Sequence, residues 1–197
     1  VQADGRTIDL LGYCFDPAEA ALQEQLATMR ATRIERAAAM VDKLAGLGLP
    51  IRLERVFEIA GKGAVGRPHV AQALLEAGHV ATRQQAFDRY IGNEGPAYVP
   101  HYEISIERAI ALLHRAGGVA VLAHPIRVRA LAAFDADDQT WAREGHPTRV
   151  QALAAAIAPW VAAGLDGLEV YYPDHGPLFT RDMRVLAREH GLIMTGG

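Results

Sequence analysis

The chain has 197 residues, half of them hydrophobic, which suits one sizeable domain or a domain carrying an insert. A formal net charge of −3 gives no global field for nucleic acid, and a lone cysteine, Cys14, excludes internal disulfides and cysteine zinc clusters. No apolar run is long enough for a membrane span or a signal-peptide core, so neither a membrane partner nor a DNA-binding patch is expected and a cytoplasmic location fits.

Residues 6–13, RTIDLLGY, read as a short strand, with Ile8, Leu10 and Leu11 apolar and Gly12 near its end. A long helix is predicted from Asp16. Asp16 stands as its cap, Pro17 suits its first position, and Glu19 follows three residues after the cap. Leu22, Leu26, Met29, Ala37, Met40, Leu44 and Leu47 recur at helical spacing, with Arg33 the charged exception, and Gly46 and Gly48 offer stops. Three shorter helices are predicted in RLERVFEIAG, in RPHVAQALLEAG from Pro68 to Gly78, and in TRQQAFDRYIG behind Thr82. Residues 92–101 form a Gly- and Pro-rich loop, so residues 16–101 make an all-helical block.

From Ser105 the rhythm changes. A helix capped by Ser105 leads to the strand VAVLAHP, then a helix with a kink or break at Pro159. The strand DGLEVYY, the helix PLFTRDMRVLAREHG and the strand LIMTG complete the series. Residues 135–147, with His146, read as a polar surface insertion. Helix and strand alternating through short connections predict parallel strands and right-handed crossovers. The expected fold class is therefore α/β, with residues 1–15 and 102–197 forming the α/β part and residues 16–101 a helical insert. Such folds gather reactive groups at the C-terminal ends of strands. That rule points to Asp9 and Tyr13 on the first strand, His124 after the second, and Tyr171 to His175 after the third.

His124 closes an apolar strand, and Pro125 sets the turn behind it. Neutral imidazole is a common ligand of divalent metals; a histidine bonded to a loop carbonyl is the structural alternative. Arg127, three residues on, would add a guanidinium to clamp phosphate oxygens. Arg67 and His69 flank Pro68 at a helix N-terminus, where free N–H groups favour an anion, although a solvated polar pair fits the same residues. Asp9 is a carboxylate among apolar neighbours, facing either a polar lumen or solvent. His79, His114 and His190 lie near helix ends, where they complement the dipole, while His101 and His175 lie in loops. No HExxH, P-loop, GxSxG or GxGxxG motif occurs. GKGAVG at 61–66 lacks the Gly-Lys-Ser/Thr ending and the preceding strand of a phosphate loop.

Six ordered stretches resemble the polymerase and histidinol phosphatase (PHP) family of metal-dependent phosphoesterases. They are DLLGYCFDP, GAVGRPHVAQALLEAG, AFDRYIGNEGPAYVP, AIALLHRAGGVAVLAHPIR, GLDGLEVYYPDH and HGLIMTGG. The branch they resemble holds nucleoside 3′,5′-bisphosphate phosphatases and 5′-to-3′ exoribonucleases. The resemblance implies a distorted β/α barrel, here partial, with a helical insert beside the active-site mouth. It also implies two or three divalent ions, manganese foremost, with magnesium, zinc or iron as alternatives. His124 falls on a metal-ligand position, Arg127 on an arginine that contacts phosphate, and Arg67 and His69 on insert residues that reach substrate phosphate. Asp9 stands where the family carries a histidine ligand, and a carboxylate there would alter metal preference. Ile126 replaces a glycine, which predicts a shifted Arg127.

The implied activity is hydrolysis of phosphate monoesters or diesters of nucleotides or short RNA by a metal-bound hydroxide. Arg67 and Arg127 would neutralise charge, and His69 or His175 would protonate the leaving oxygen. Histidinol phosphate is an alternative substrate. The family opens on a His-x-His strand with further Asp, His and Glu ligands and closes on Ser-Asp-Phe-His after the TGG seen here. The chain is thus expected to be an internal fragment that is inactive alone, or one that binds phosphate or nucleotide without catalysis. Unpaired strand edges predict poor solubility or self-association. The oligomeric state of the whole protein is left open.

Overall fold

The computed structural model describes residues 1–3, 6–128, 131 and 149–197. The polar connection 135–147, with His146, lies outside the described residues. In chain order the elements are β1 (Gln2–Ala3), β2 (Arg6–Thr7), β3 (Leu10–Tyr13), α1 (Ala20–Gly46), α2 (Leu53–Ala60), α3 (Arg67–Glu76) and α4 (Arg83–Ala86). A π-helical turn, Phe87–Ile91, continues α4. Then come α5 (Ile106–Arg115), β4 (Val119–Leu122), a 3₁₀ turn (Pro125–Arg127), α6 (Arg149–Ala162), β5 (Gly167–Tyr171), α7 (Pro177–Glu189) and β6 (Ile193–Gly196). The chain divides into two compact units, Val1–Gln23 with Glu103–Gly197, and Glu24–Tyr102.

In the first unit RTIDLLGY splits into two strands. Ile8 exchanges backbone hydrogen bonds with Val1 and buries its side chain, which closes the β1–β2 hairpin and ends β2. Strands β3, β4, β5 and β6 lie in that order in one sheet. The pairs β4/β5 and β5/β6 are parallel, as the alternating pattern predicts. β3 is not: it runs antiparallel to β4, with Leu10 opposite Leu122 and Tyr13 opposite Val119. The handedness rule governs a strand joined to its parallel neighbour by one crossover, whereas the whole helical unit intervenes between β3 and β4. One consequence is decisive for the site. The start of β3, at Asp9, lies beside the C-terminal end of β4, and Tyr13 is carried to the opposite end.

Alternation along the strands puts Ala120, Leu122, Leu168 and Val170 into one core with Ile110, Leu153, Ile157, Phe179 and Met183 from the helices. Fully burying a side chain such as Phe179 contributes about 1.5–3 kcal/mol. Helix α6 runs through Pro159 without a break; Pro159 itself accepts the Ala163 N–H at 3.0 Å. Leu153, Ile157 and Trp160 are all buried on either side of it, so packing outweighs the one hydrogen bond that proline removes. The buried pair Arg149–Asp182, 2.7 Å, ties α6 to α7. β6 is the last strand in the sheet order, and it exposes Ile193 and Met194.

Helix α1 begins at Ala20, later than predicted. Asp16 Oδ1 accepts the Ala18 N–H, a local turn, whereas Glu19 Oε2 accepts the N–H of Leu22 at 2.7 Å. Glu19 thus performs the capping, and its other oxygen takes the Arg115 guanidinium at 2.7 Å. Hydrogen bonding to Leu22 and to Arg115 holds the Glu19 carboxyl below the usual carboxylate range.

The second unit has a core of its own, in which Met40 and Leu44 of α1 pack with Val56, Val70, Leu74 and Ile91. Thr82 caps α4 by accepting the Gln85 N–H at 3.1 Å, and Ser105 caps α5 in the first unit by accepting from Arg108 at 3.2 Å. Both caps are as the sequence predicts.

Candidate active site

At the C-terminal end of β4 the backbone reverses sharply. His124 has φ 31° and ψ 63°, a left-handed conformation that costs a non-glycine residue about 1–3 kcal/mol. Three contacts hold it there. The Ala123 N–H donates to the carbonyl of Asp9 at 3.0 Å, and the Arg127 N–H donates to the carbonyl of His124 at 2.8 Å. The His124 N–H donates to Glu169 Oε2 at 2.5 Å. Glu169 is only 6% exposed, in the middle of β5, on the sheet face opposite Leu168 and Val170.

The turn brings His124 Nε2 to 3.5 Å from Asp9 Oδ2. Beside them the Tyr172 ring lies 5.6 Å from the His124 ring and 5.3 Å from the Arg127 guanidinium. Arg127 pairs with Asp174 at 2.8 Å; that hydrogen bond raises the guanidinium pKa above its ordinary value. His175 is committed on both sides. Its Nδ1–H donates to the Val170 carbonyl at 2.9 Å, its Nε2 accepts the Ile126 N–H at 3.4 Å, and its ring packs edge-on to buried Phe179.

In the second unit, His69 Nδ1 accepts the N–H of Gly66 at 3.0 Å, which places the ring proton on Nε2 in the neutral form. Arg67 donates to Asn93 Oδ1 at 2.8 Å, and its guanidinium lies over the Phe87 and Tyr98 rings at 5.7 and 6.0 Å.

No family model matches the chain. A 5′-3′ exoribonuclease from Salmonella typhimurium is 31% identical over 189 residues, which cover 96% of this chain and 58% of the relative. A 3′,5′-nucleoside bisphosphate phosphatase from Chromobacterium violaceum is 30% identical over 192 residues, covering 97% of this chain and 61% of the relative. A solved structure from Bifidobacterium adolescentis, described as a metal-dependent phosphoesterase, matches with a TM-score of 0.71 at 31% identity, over 96% of this chain and 61% of that one. These matches support a phosphoesterase of the PHP family, in line with the six ordered stretches of sequence. The chain spans less than two thirds of the length of each of these relatives.

The PHP site residues expected from sequence fall into two groups. Asp9, His124, Arg127 and His175 gather at one end of the sheet in the first unit. Arg67 and His69 both lie in the first turn of α3, two residues apart, in the second. Tyr13 leaves the group, because β3 is reversed and carries it to the far end of the sheet. Glu169 is the residue sequence reasoning passed over. Its one signal was a carboxylate between Leu168 and Val170 inside an apolar strand.

A PHP centre takes divalent cations, and the donors present can be tested for that chemistry. Two ligands about 2.1 Å from a cation, at octahedral to tetrahedral angles, stand roughly 3.0–3.4 Å apart. The 3.5 Å between Asp9 Oδ2 and His124 Nε2 is long for a strong hydrogen bond and close to that spacing. Carboxylate and imidazole are both apt donors. Among the described residues no three His, Cys, Asp or Glu side chains converge on one point; Asp9 and His124 are two donors at a cation-ligand spacing.

Proposed function

We propose that this PHP chain carries part of the active site of a hydrolase that cleaves phosphate esters of nucleotides or short RNA. One observation carries the reading: Asp9 and His124 present two cation donors 3.5 Å apart beside the Arg127 guanidinium. The relatives named for exoribonuclease and nucleoside bisphosphate phosphatase activity support the substrate class. Asp9 and His124 would hold a divalent cation, manganese in our reading, with magnesium, zinc or iron as competitors for the same donors. When bound, the cation supplies Lewis-acid polarisation of the phosphoryl group and eases ionisation of the attacking water.

The chain's own residues do the rest. Arg127, exposed and anchored by Asp174, offers its remaining N–H groups to phosphate oxygens and offsets the charge that builds there. In the second unit Arg67, held by Asn93 and the Phe87 ring, would bind a phosphate oxygen, and His69 would donate to one from Nε2 because Gly66 occupies Nδ1. His175, with both nitrogens engaged, acts as a brace between the 3₁₀ turn and the loop after β5. A barrel, to which the four-stranded sheet β3–β4–β5–β6 would contribute, and a cytoplasmic location belong to the same reading.

The test is manganese titration by calorimetry, together with phosphate release from a nucleoside 3′,5′-bisphosphate and from a 5′-phosphorylated oligoribonucleotide. D9N and H124A should each weaken manganese binding at least tenfold. Binding that is unchanged in both variants overturns the reading.

A second reading is favoured by the two-donor pair: the 197 residues alone bind nucleotide phosphate without turning it over. Manganese-dependent phosphate release by the purified chain, abolished by H124A, would exclude it.

A further inference from the structure

The helical unit carries a groove of about 300 Å³, lined by Arg30 and Arg33 of α1, Lys62 of the loop after α2, and the side chains of Ile34 and Phe57. A smaller depression of about 20 Å³ is lined by Arg33, Arg36, Val65 and Arg67. Arg33 and Val65 line both, so the smaller depression, with Arg67, adjoins the groove that holds Arg30 and Lys62. Among the described residues no carboxylate lines either depression, although the chain as a whole carries a net charge of −3.

Elsewhere in the same unit an exposed cation is paired: Arg55 holds both Glu58 and Glu76 at 2.8 Å. Among the described residues Arg30, Arg33 and Lys62 have no such carboxylate. Arg30 and Arg33 lie one turn apart on α1 and so share a face. Gly61, at φ 57°, turns the chain at the end of α2, and Lys62 follows it on the exposed loop. Between the cations lies an apolar surface: Ile34 is 49% exposed and Phe57 is half-buried beside it. Cations spaced along a groove suit a run of phosphodiesters, and an apolar or aromatic floor suits bases stacked on it.

We propose that this groove holds the sugar-phosphate backbone of a single-stranded RNA whose end lies at Arg67. The proposal deepens the reading above and rests on Arg67 contacting a terminal phosphate there. It gives the glycine-rich GKGAVG stretch a role other than that of a nucleotide phosphate loop: it presents Lys62 to the strand.

The experiment uses the full chain and measures binding without turnover. A labelled, 5′-phosphorylated oligoribonucleotide of about a dozen residues is titrated at several salt concentrations, and a nucleoside 3′,5′-bisphosphate serves as the short ligand. Wild type is compared with R30E/R33E/K62E and with the neutral R30Q/R33Q/K62Q, each checked for native circular dichroism and melting. Single strands release about 0.7 counterion per phosphate contact, so three lost contacts should lower the log–log salt slope by about 2. Oligoribonucleotide affinity should fall at least tenfold, with bisphosphate affinity unchanged. An unchanged slope and affinity in either folded variant overturns the proposal. So does a parallel loss for the bisphosphate, which would make these cations part of the terminal pocket. Manganese binding unchanged by D9N and H124A, together with the expected salt behaviour here, would sink the catalytic reading and leave this one standing.

Discussion

The carboxylate of Glu169 accepts the backbone N–H of His124 at 2.5 Å, and by that contact β5 sets the turn that aims the His124 ring. E169A leaves a half-buried N–H without its acceptor and frees a strained left-handed residue. It should cost about 1–3 kcal/mol in urea unfolding, with E169Q costing less because an amide oxygen can still accept. Equal stability of all three proteins would show that the turn is held by other means.

Both ring nitrogens of His175 are used, and its ring seats on Phe179. H175A should therefore lower stability by about 1–3 kcal/mol. In a catalytic assay its pH profile should keep the shape of wild type. A variant of native stability with one limb of that profile missing would identify His175 as a proton donor instead.

Arg149 and Asp182 are both almost wholly buried and 2.7 Å apart. Asp182 also accepts from Arg181 at 3.0 Å, so D182A removes a buried carboxylate that two guanidinium groups share and should destabilise the first unit by about 1–3 kcal/mol. Denaturant unfolding followed by the fluorescence of Trp160, which packs in that core, reports it. A loss below 1 kcal/mol would contradict the burial of the pair.

Glu19 caps α1 through a carboxyl whose pKa is lowered in the folded protein. A lowered folded value means that the contribution is complete above the ordinary carboxylate pKa. It is lost as pH falls through the lowered one. E19Q should melt below wild type at neutral pH, and the gap should close toward about pH 3. A gap that persists in acid would assign the effect to packing.

A Cβ at Gly118 would meet Phe15 Cβ at 2.5 Å and the Tyr13 carbonyl oxygen at 2.7 Å. Neither atom belongs to a flexible side-chain tip, so G118A must push β3 away from β4 and should cost about 1–3 kcal/mol. Thermal melting tests this, and a neutral effect would mean that the Phe15 segment moves freely.

Much of the architecture was legible along the chain. Thr82 and Ser105 act locally, within one turn of the N–H groups they accept, so their type and position were enough. His124 before Pro125 marked a strand end for the same reason. Glu19 displaced Asp16 as the cap because Arg115, far along the chain, supports it. Pro159 failed to break α6 because the residues flanking it are locked into the core.

By itself, then, the sequence determined the order of helices and strands after β3, the helical block, and the stretches that resemble the PHP family. All of these depend on neighbours a few residues apart. Tertiary structure alone decided that β3 runs backwards, which keeps Asp9 beside His124 and sends Tyr13 away. It alone decided that Glu169 grips the His124 turn and that Arg30, Arg33 and Lys62 share one groove. Strand direction and long-range contact are set by closing the sheet and packing the core, and no local spacing encodes them.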